Sequence, residues 1–272
     1  MTSADWGHDI PLVYASIPET YALIKPHIHQ TPVLTSTSLN EYASTPRTPE
    51  ELAGTEWADP SHVPAKPKIR LYFKCENFQR IGAFKARGAF HAVERLKREE
   101  GWLDNGGREK GVVTHSSGNH AQAVALAARE AGIPAHIIMP SNANPVKVAA
   151  TKALGANVIF SGPTAAEREK VTAEILARLN GEAPEAQEAN YSFTPDSTAE
   201  SGASQQDKKT QPKKATATGT ATARLIPPYN HPLTILGQST VAYELLQQLS
   251  PSLQPHAIIT PSAEAASSLA PP

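Results

Sequence analysis

Between residues 111 and 181 the apolar positions alternate between two rhythms. Short continuous runs, at 111–114 (GVVT), 135–140 (AHIIMP) and 156–162 (ANVIFSG), are separated by longer stretches with a helical period, at 121–132, 144–155 and 164–181. Each longer stretch closes on a glycine (Gly132, Gly155 and Gly181), the residue that most readily takes the left-handed backbone ending a helix. Strands alternating with helices of this length predict parallel pairing through right-handed crossovers, an α/β fold. Upstream, residues 69–75 (IRLYFKC) alternate as a strand. Residues 82–100 carry a helical pattern, with Phe84, Ala89, Val93 and Leu96 on neighbouring faces. Downstream, 239–249 (STVAYELLQQL) is helix-like and 256–261 (HAIITP) reads as a further core strand.

Two stretches interrupt this order. Residues 45–68 are rich in proline and charge without lasting periodicity, the signature of a surface insertion. Residues 183–224 are polar, low in complexity and nearly free of large aliphatics. Such a segment cannot bury enough apolar surface to offset its chain entropy, so a disordered insertion is expected. Its KKTQPKK run reads as a solvated charge cluster.

Composition narrows the partners. The 272 residues carry a formal net charge of -1, which gives no bulk attraction to nucleic acid or to anionic lipid. One cysteine, Cys75, allows neither a disulfide framework nor a thiolate metal site within one chain. The N-terminus lacks an apolar signal core, and no apolar run approaches the roughly 18 residues that span a bilayer. The expectation is a soluble, cytoplasmic protein with no nucleic-acid or membrane partner.

Candidate chemistry sits in two places. In residues 76–89 (ENFQRIGAFKARGA), Lys85 follows Phe84 at the start of a helix, between Gly82 and Gly88. The plain reading is a solvated lysine with two packing glycines. In residues 114–121 (THSSGNHA), a turn joins a strand's C-terminal end to a helix N-terminus. Parallel α/β sheets bind ligands at that edge, and free N–H groups at a helix start favour anions such as a carboxylate. The plain reading there is a capped helix with Ser116, Ser117 or Asn119 as N-cap.

Taken together, the two stretches resemble the fold type II family of pyridoxal-phosphate enzymes, within it the serine racemase and serine/threonine dehydratase group. The matching blocks, in order, are IHQTPVLTSTSLN, FKCENFQRIGAFKARGA, VVTHSSGNHAQAVALAAREAGIPAHIIMP, NPVKVAATKALGANVIF and PPYNHPLTILGQSTVAYELL. The resemblance implies two parallel-sheet α/β domains with the large one incomplete. Residues 1–109 would begin the large domain and 110–182 form the small one. The insertion at 183–224 follows, and 225–272 start the C-terminal part of the large domain. Lys85 matches the lysine that forms a Schiff base with pyridoxal phosphate, and Phe84 the residue packing against its ring. Asn119 matches the asparagine bonding the ring's phenolic oxygen. Ser116, Ser117, Gly118, Asn119 and His120 match the loop that grips the substrate carboxylate. Ser117 matches the residue opposite the lysine in racemases.

The implied substrates are L-serine or L-threonine. The implied reaction is either dehydration to an oxo acid and ammonia or racemisation, because both begin with removal of the α-proton by the lysine amine. That lysine must be neutral to attack an aldehyde, which calls for partial desolvation. A replacement enzyme of the cysteine- or tryptophan-synthase kind is a third possibility, and a homodimer is implied for a full-length chain. The other class of reading is a catalytically inactive truncated homologue with at most a binding role.

One part of the family pattern is missing. The strand matching HAIITP should lead into about four glycines whose N–H groups wrap the cofactor phosphate. Here that place reads SAEAASSLAPP. The family's divalent-metal site would lie past Pro272, so no metal ligand is assigned. Shifting the reading frame at Ser262, with G/C-rich third bases, turns the tail into Gly-Gly-Gly-Gly-Leu-Leu-Ala-Gly-Ala. An out-of-frame tail is therefore expected, and with it weak cofactor binding and poor solubility of the 272-residue form. Sequencing the transcript across the codons for Thr260 to Pro272 checks this: an in-frame glycine run is the expected result, and a message ending after Pro272 contradicts it.

Overall fold

The computed structural model describes residues 10–59, 66–182, 222–253 and 255–260. Most of the insertion expected at 183–224 lies outside the described residues, as does the tail after Thr260. The first part of the chain forms α1 (Ile17–Ile24), β1 (Val33–Leu34), α2 (Thr37–Ser44), a short α3 (Pro49–Leu52), β2 (Phe73–Lys74), α4 (Lys85–Lys97) and the single turn α5 (Arg108–Lys110). The alternating part follows as β3 (Val112–His115), α6 (Asn119–Ala131), β4 (Ala135–Pro140), α7 (Pro145–Ala153), β5 (Asn157–Ser161) and α8 (Ala165–Asn180). Beyond the insertion come β6 (Arg224–Leu225) and α9 (Pro232–Gln248).

The predicted parallel sheet is present, with strand order β5-β4-β3-β6 and every neighbouring pair parallel. Its two faces bury different partners. Val112, Ile137 and Met139 join the cluster that includes Ala123, Val124 and Ala127 of α6. Val113 and Ile138 point the other way, into a cluster with Ile175 and Leu176 of α8. This is the three-layer arrangement that successive strand residues on opposite faces require. The alanine-rich face of α6 lets α4 pack close on its outer side, and Ala86, Ala89, Val93 and Leu96 of α4 belong to the same core as α6.

The insertion expected at 183–224 ends earlier than read, because Ala223 is buried and β6 begins at Arg224, and the neighbourhood of β6 is anchored by polar contacts. Trp102 Nε1 donates to the carbonyl of Thr222 (3.0 Å), and Ala223 N donates to Asn180 Oδ1 (2.6 Å). The two ends of the inserted segment therefore meet at the C-terminus of α8, and the sheet continues as though the insertion were absent.

Three expectations are corrected. The strand read over 69–75 shrinks to Phe73–Lys74, which pairs antiparallel with Val33–Leu34. The helix read over 82–100 begins only at Lys85 and ends at Lys97. Residues 256–260 form no strand: Ile259 is 93% exposed, and no described strand pairs with this segment. An isolated β-prone run has nothing to satisfy its backbone donors and acceptors, so pattern alone cannot make it a strand.

α4 and α9 cross at two glycines. A Cβ on Gly237 would lie 2.5 Å from the Cα of Gly88 and 2.7 Å from the carbonyl oxygen of Arg87. The neighbours are backbone and cannot turn aside. Gly237→Ala is expected to force the helices apart and lower stability by about 1–3 kcal/mol, read as a lowered urea midpoint. An unchanged midpoint would mean that the two helices do not cross this closely in solution.

Candidate active site

Lys85 is the first residue of α4, and a held turn delivers it there. Gln79 is buried and makes three local bonds: its Oε1 accepts from His29 N (2.8 Å) and Arg80 N (3.0 Å), and its Nε2 donates to the His29 carbonyl (2.8 Å). Arg80 forms a two-pronged pair with Glu130 of α6. Between these anchors and Lys85 the chain passes through Ile81 at φ 60 and ψ 10. A β-branched residue in left-handed backbone is a true outlier, costing on the order of 1–3 kcal/mol. The sequence gives no sign of it.

The Lys85 side chain is half-buried. Its Nζ donates to the Pro228 carbonyl (2.8 Å) and lies 5.3 Å from the centre of the Phe84 ring. Burial holds its ammonium below the usual lysine range, the direction in which a lysine becomes a usable amine near neutral pH. The plain reading of a solvated lysine does not describe this side chain.

The second stretch occupies the C-terminal end of β3 and the start of α6. None of the three N-cap candidates caps the helix. The cap position is Gly118, which has no side-chain oxygen, and Ser116 Oγ instead accepts from Gly118 N (3.2 Å). The first N–H groups of α6 thus lack both an intrahelical and a side-chain partner. The side chains of Ser117 and Asn119 are exposed, and a Cβ on Gly118 would meet nothing within 4 Å, so the space over this turn is open.

His120 points inward and is 2% exposed. Its Nε2 lies 3.2 Å from the Ile226 carbonyl, which can only accept, so Nε2 carries the proton. Nδ1 is then a bare acceptor, buried and without a partner. Burial first, and the nearby Lys85 and His115 charges next, push the His120 pKa down to about 3. The ring is therefore neutral, and only its backbone N–H is placed to meet an anion.

Both stretches converge on one short segment. Ile226 N donates to Val113 O (2.8 Å), Thr114 Oγ1 donates to Ile226 O (2.6 Å), His120 shares that same oxygen, and Lys85 holds the carbonyl two residues on. Residues 226–228 (IPP) carry the lysine helix and the α6 turn on the carbonyls at the two ends of one short stretch. Pro227 and Pro228 fix φ and remove two N–H groups, which stiffens the segment, but nothing in the sequence says which side chains its carbonyls accept from.

The pyridoxal-phosphate dependent enzyme family matches residues 53–269. This chain belongs to that family. It is 33% identical over 236 residues to L-threo-3-hydroxyaspartate ammonia-lyase of Saccharomyces cerevisiae, covering 87% of this chain and 50% of the relative. It is 34% identical over 238 residues to serine racemase of Schizosaccharomyces pombe, covering 88% and 51%. Among solved structures, maize serine racemase superposes with a TM-score of 0.57 at 34% identity, over 86% of this chain and 49% of that one. The chain spans about half the length of the curated relatives it matches. The family's fold, α/β with a parallel sheet, is the fold described above.

The residues of the site fit the ring end of the family's cofactor: a partly desolvated lysine, an aromatic ring beside it, open space above Gly118, and an unsatisfied buried acceptor on His120. The place where the resemblance calls for a phosphate-binding glycine run, after Thr260, lies outside the described residues. Among the described residues no helix is long and apolar enough to cross a membrane.

His120, in the α6 turn, and His91, in the middle of α4, give the fold an acid limit. Burial puts the His91 pKa at about 4 and that of His120 at about 3, whereas both titrate near 6.5 when unfolded. Between those values the unfolded chain binds more protons than the folded one, so stability falls as pH drops below 6.5 and levels off only below the folded values. Urea unfolding is expected to show a loss of about 2–4 kcal/mol between pH 6.5 and pH 5. Equal midpoints at the two pH values would contradict the burial of these rings.

Proposed function

We propose that this chain carries the lysine and carboxylate-binding portions of a pyridoxal-phosphate-dependent ammonia-lyase or racemase acting on L-serine or L-threonine. The observation that carries this reading is the convergence of Lys85 Nζ and the uncapped start of α6 on the carbonyls of residues 226–228. It is supported by relatives that are named as ammonia-lyases and serine racemases.

Bound pyridoxal phosphate supplies an electron sink that makes the α-proton of an attached amino acid removable. Lys85 would hold the cofactor, and its amine, neutral and free of the Pro228 contact, would be the base for that proton. Phe84 would pack beside the cofactor ring, and Asn119, exposed at the start of α6, would supply an amide hydrogen bond to it. The free N–H groups of the Ser116–His120 turn receive the substrate carboxylate, with the positive end of the α6 dipole behind them. Ser117 presents a hydroxyl that can return a proton, and a return from the face opposite Lys85 gives the mirror-image amino acid. If the β-hydroxyl leaves first, the products are an oxo acid and ammonia. For a full-length form we propose a homodimer.

A second reading has its own support: the sequence after Thr260 contains no glycine run. In that case the chain is an inactive homologue whose site binds without turnover. Titration of pyridoxal phosphate into the full chain, followed by borohydride reduction and peptide mapping, tests the site. Label at Lys85, absent in Lys85→Ala, is the expected result; equal labelling of the variant overturns it. Ammonia or D-serine formed from L-serine then separates the two enzyme activities, and label without turnover establishes the inactive reading.

A further inference from the structure

Away from Lys85, a cleft of about 400 Å³ opens between α1, the segment leading into it, and the middle of α4. It lies at the lower end of the size range of small-molecule sites, roughly 300–1,000 Å³. Its lining is mixed: Ile10, Val13 and Leu23 supply an aliphatic wall, and Ser16, Glu19, Thr20, His91 and Arg95 supply the polar side. Apart from Ser16, whose hydroxyl donates to the Pro11 carbonyl, its polar side chains come from α1 and α4.

His91 and Thr20 lie at the buried end, 1% and 4% exposed. His91 Nδ1 is 2.7 Å from the Leu233 carbonyl, which can only accept, so Nδ1 carries the proton and Nε2 is an acceptor. The partner nearest to Nε2 is Thr20 Oγ1 at 3.4 Å, a long contact for so buried a nitrogen. Towards solvent, Arg95 and Glu19 face each other at 3.8 Å, with side chains 28% and 77% exposed. A pair this exposed is worth about 0–1 kcal/mol, so an incoming ligand parts it easily.

We propose that this cleft binds a free amino acid with an aliphatic side chain, its carboxylate on Arg95, its ammonium between Glu19 and His91 Nε2, and its side chain against Ile10, Val13 and Leu23. Adjacent opposite charges on the protein meet adjacent opposite charges on the ligand, while the aliphatic wall favours an aliphatic side chain over a polar one. The site is separate from the reaction site: Arg95 is ten residues along α4 from Lys85, about 15 Å at the helical rise. The assignment does not depend on the activity proposed above.

The test is calorimetric titration of the full chain with L-leucine. Saturable binding is expected. Arg95→Met and Glu19→Gln should each weaken it about tenfold or more, the loss of one charge-assisted bond. 4-Methylpentanoate, which lacks the ammonium, and isoamylamine, which lacks the carboxylate, should bind correspondingly worse. Lys85→Ala and Asn119→Ala should bind L-leucine as the unaltered chain does. Circular dichroism of each variant confirms its fold. Absence of binding at millimolar L-leucine overturns the proposal, as does undiminished binding by both charge variants. Binding lost in Lys85→Ala but kept in Arg95→Met assigns the leucine to the reaction site and overturns it equally.

Discussion

Arg87 is wholly buried, and the meeting of its charge organises the region around the lysine. Its guanidinium donates to Glu76 (2.8 and 2.7 Å) on one side and to Glu244 (3.2 and 3.0 Å) on the other. Glu244 also takes the Lys74 ammonium and the backbone N–H of Thr31. Burial alone would raise the Glu244 carboxyl, yet the bonds from Arg87 and Lys74 outweigh it and hold the group below its usual range. Arg87 shows the mirror balance: burial disfavours its charge, and Glu76 and Glu244 restore it. Two cations and two carboxylates leave the cluster neutral. Removing any one would strand a charge in the core, which typically costs about 3–5 kcal/mol.

The geometry of this cluster explains why Lys85 sits where it does. Arg87 lies two residues into α4, Glu76 comes just before the strained turn, and Glu244 is on α9. The cluster therefore ties down α4 beside its first turn. The glycine crossing of α4 and α9 brings Arg87 within reach of Glu244, and the Arg80–Glu130 pair ties the turn to α6. Left-handed Ile81 is tolerated because both of its flanks are held.

Much of this could be read from the sequence, for identifiable reasons. Strands β3, β4 and β5 were legible because short apolar runs and glycine-ended helical periods are local signals, whereas β6 was not, since Arg224 closed the segment read as an insertion. Pattern placed Lys85 and the 114–120 turn near helix starts, three residues off for α4, but it read Lys85 as solvated; only the family resemblance drew attention to the two stretches as a pair. The Arg87 cluster was not: an arginine in ARGAFHAVERL looks like a solvated face, and its partners lie 11 and 157 residues away. The Ile226 and Pro228 carbonyls were hidden because backbone acceptors have no sequence signature. HAIITP misled because β-propensity reports an ability to fill a sheet, and sheet partners cannot be read from six residues.

The long reach from Arg87 to Glu244 has a consequence for synthesis. At about 5–20 residues per second, the carboxylate that completes the Arg87 cluster is made roughly 8–30 s after the arginine itself. Until then α4 carries a charge that it cannot bury and a glycine face with no helix to cross. The βα units from β3 to α8 can form in that interval, since their contacts are close in sequence, but β6 cannot join them until the insertion has been translated. Each residue added to the insertion lengthens the time during which the nascent lysine helix has no α9 to pack against, although it leaves the finished sheet unchanged.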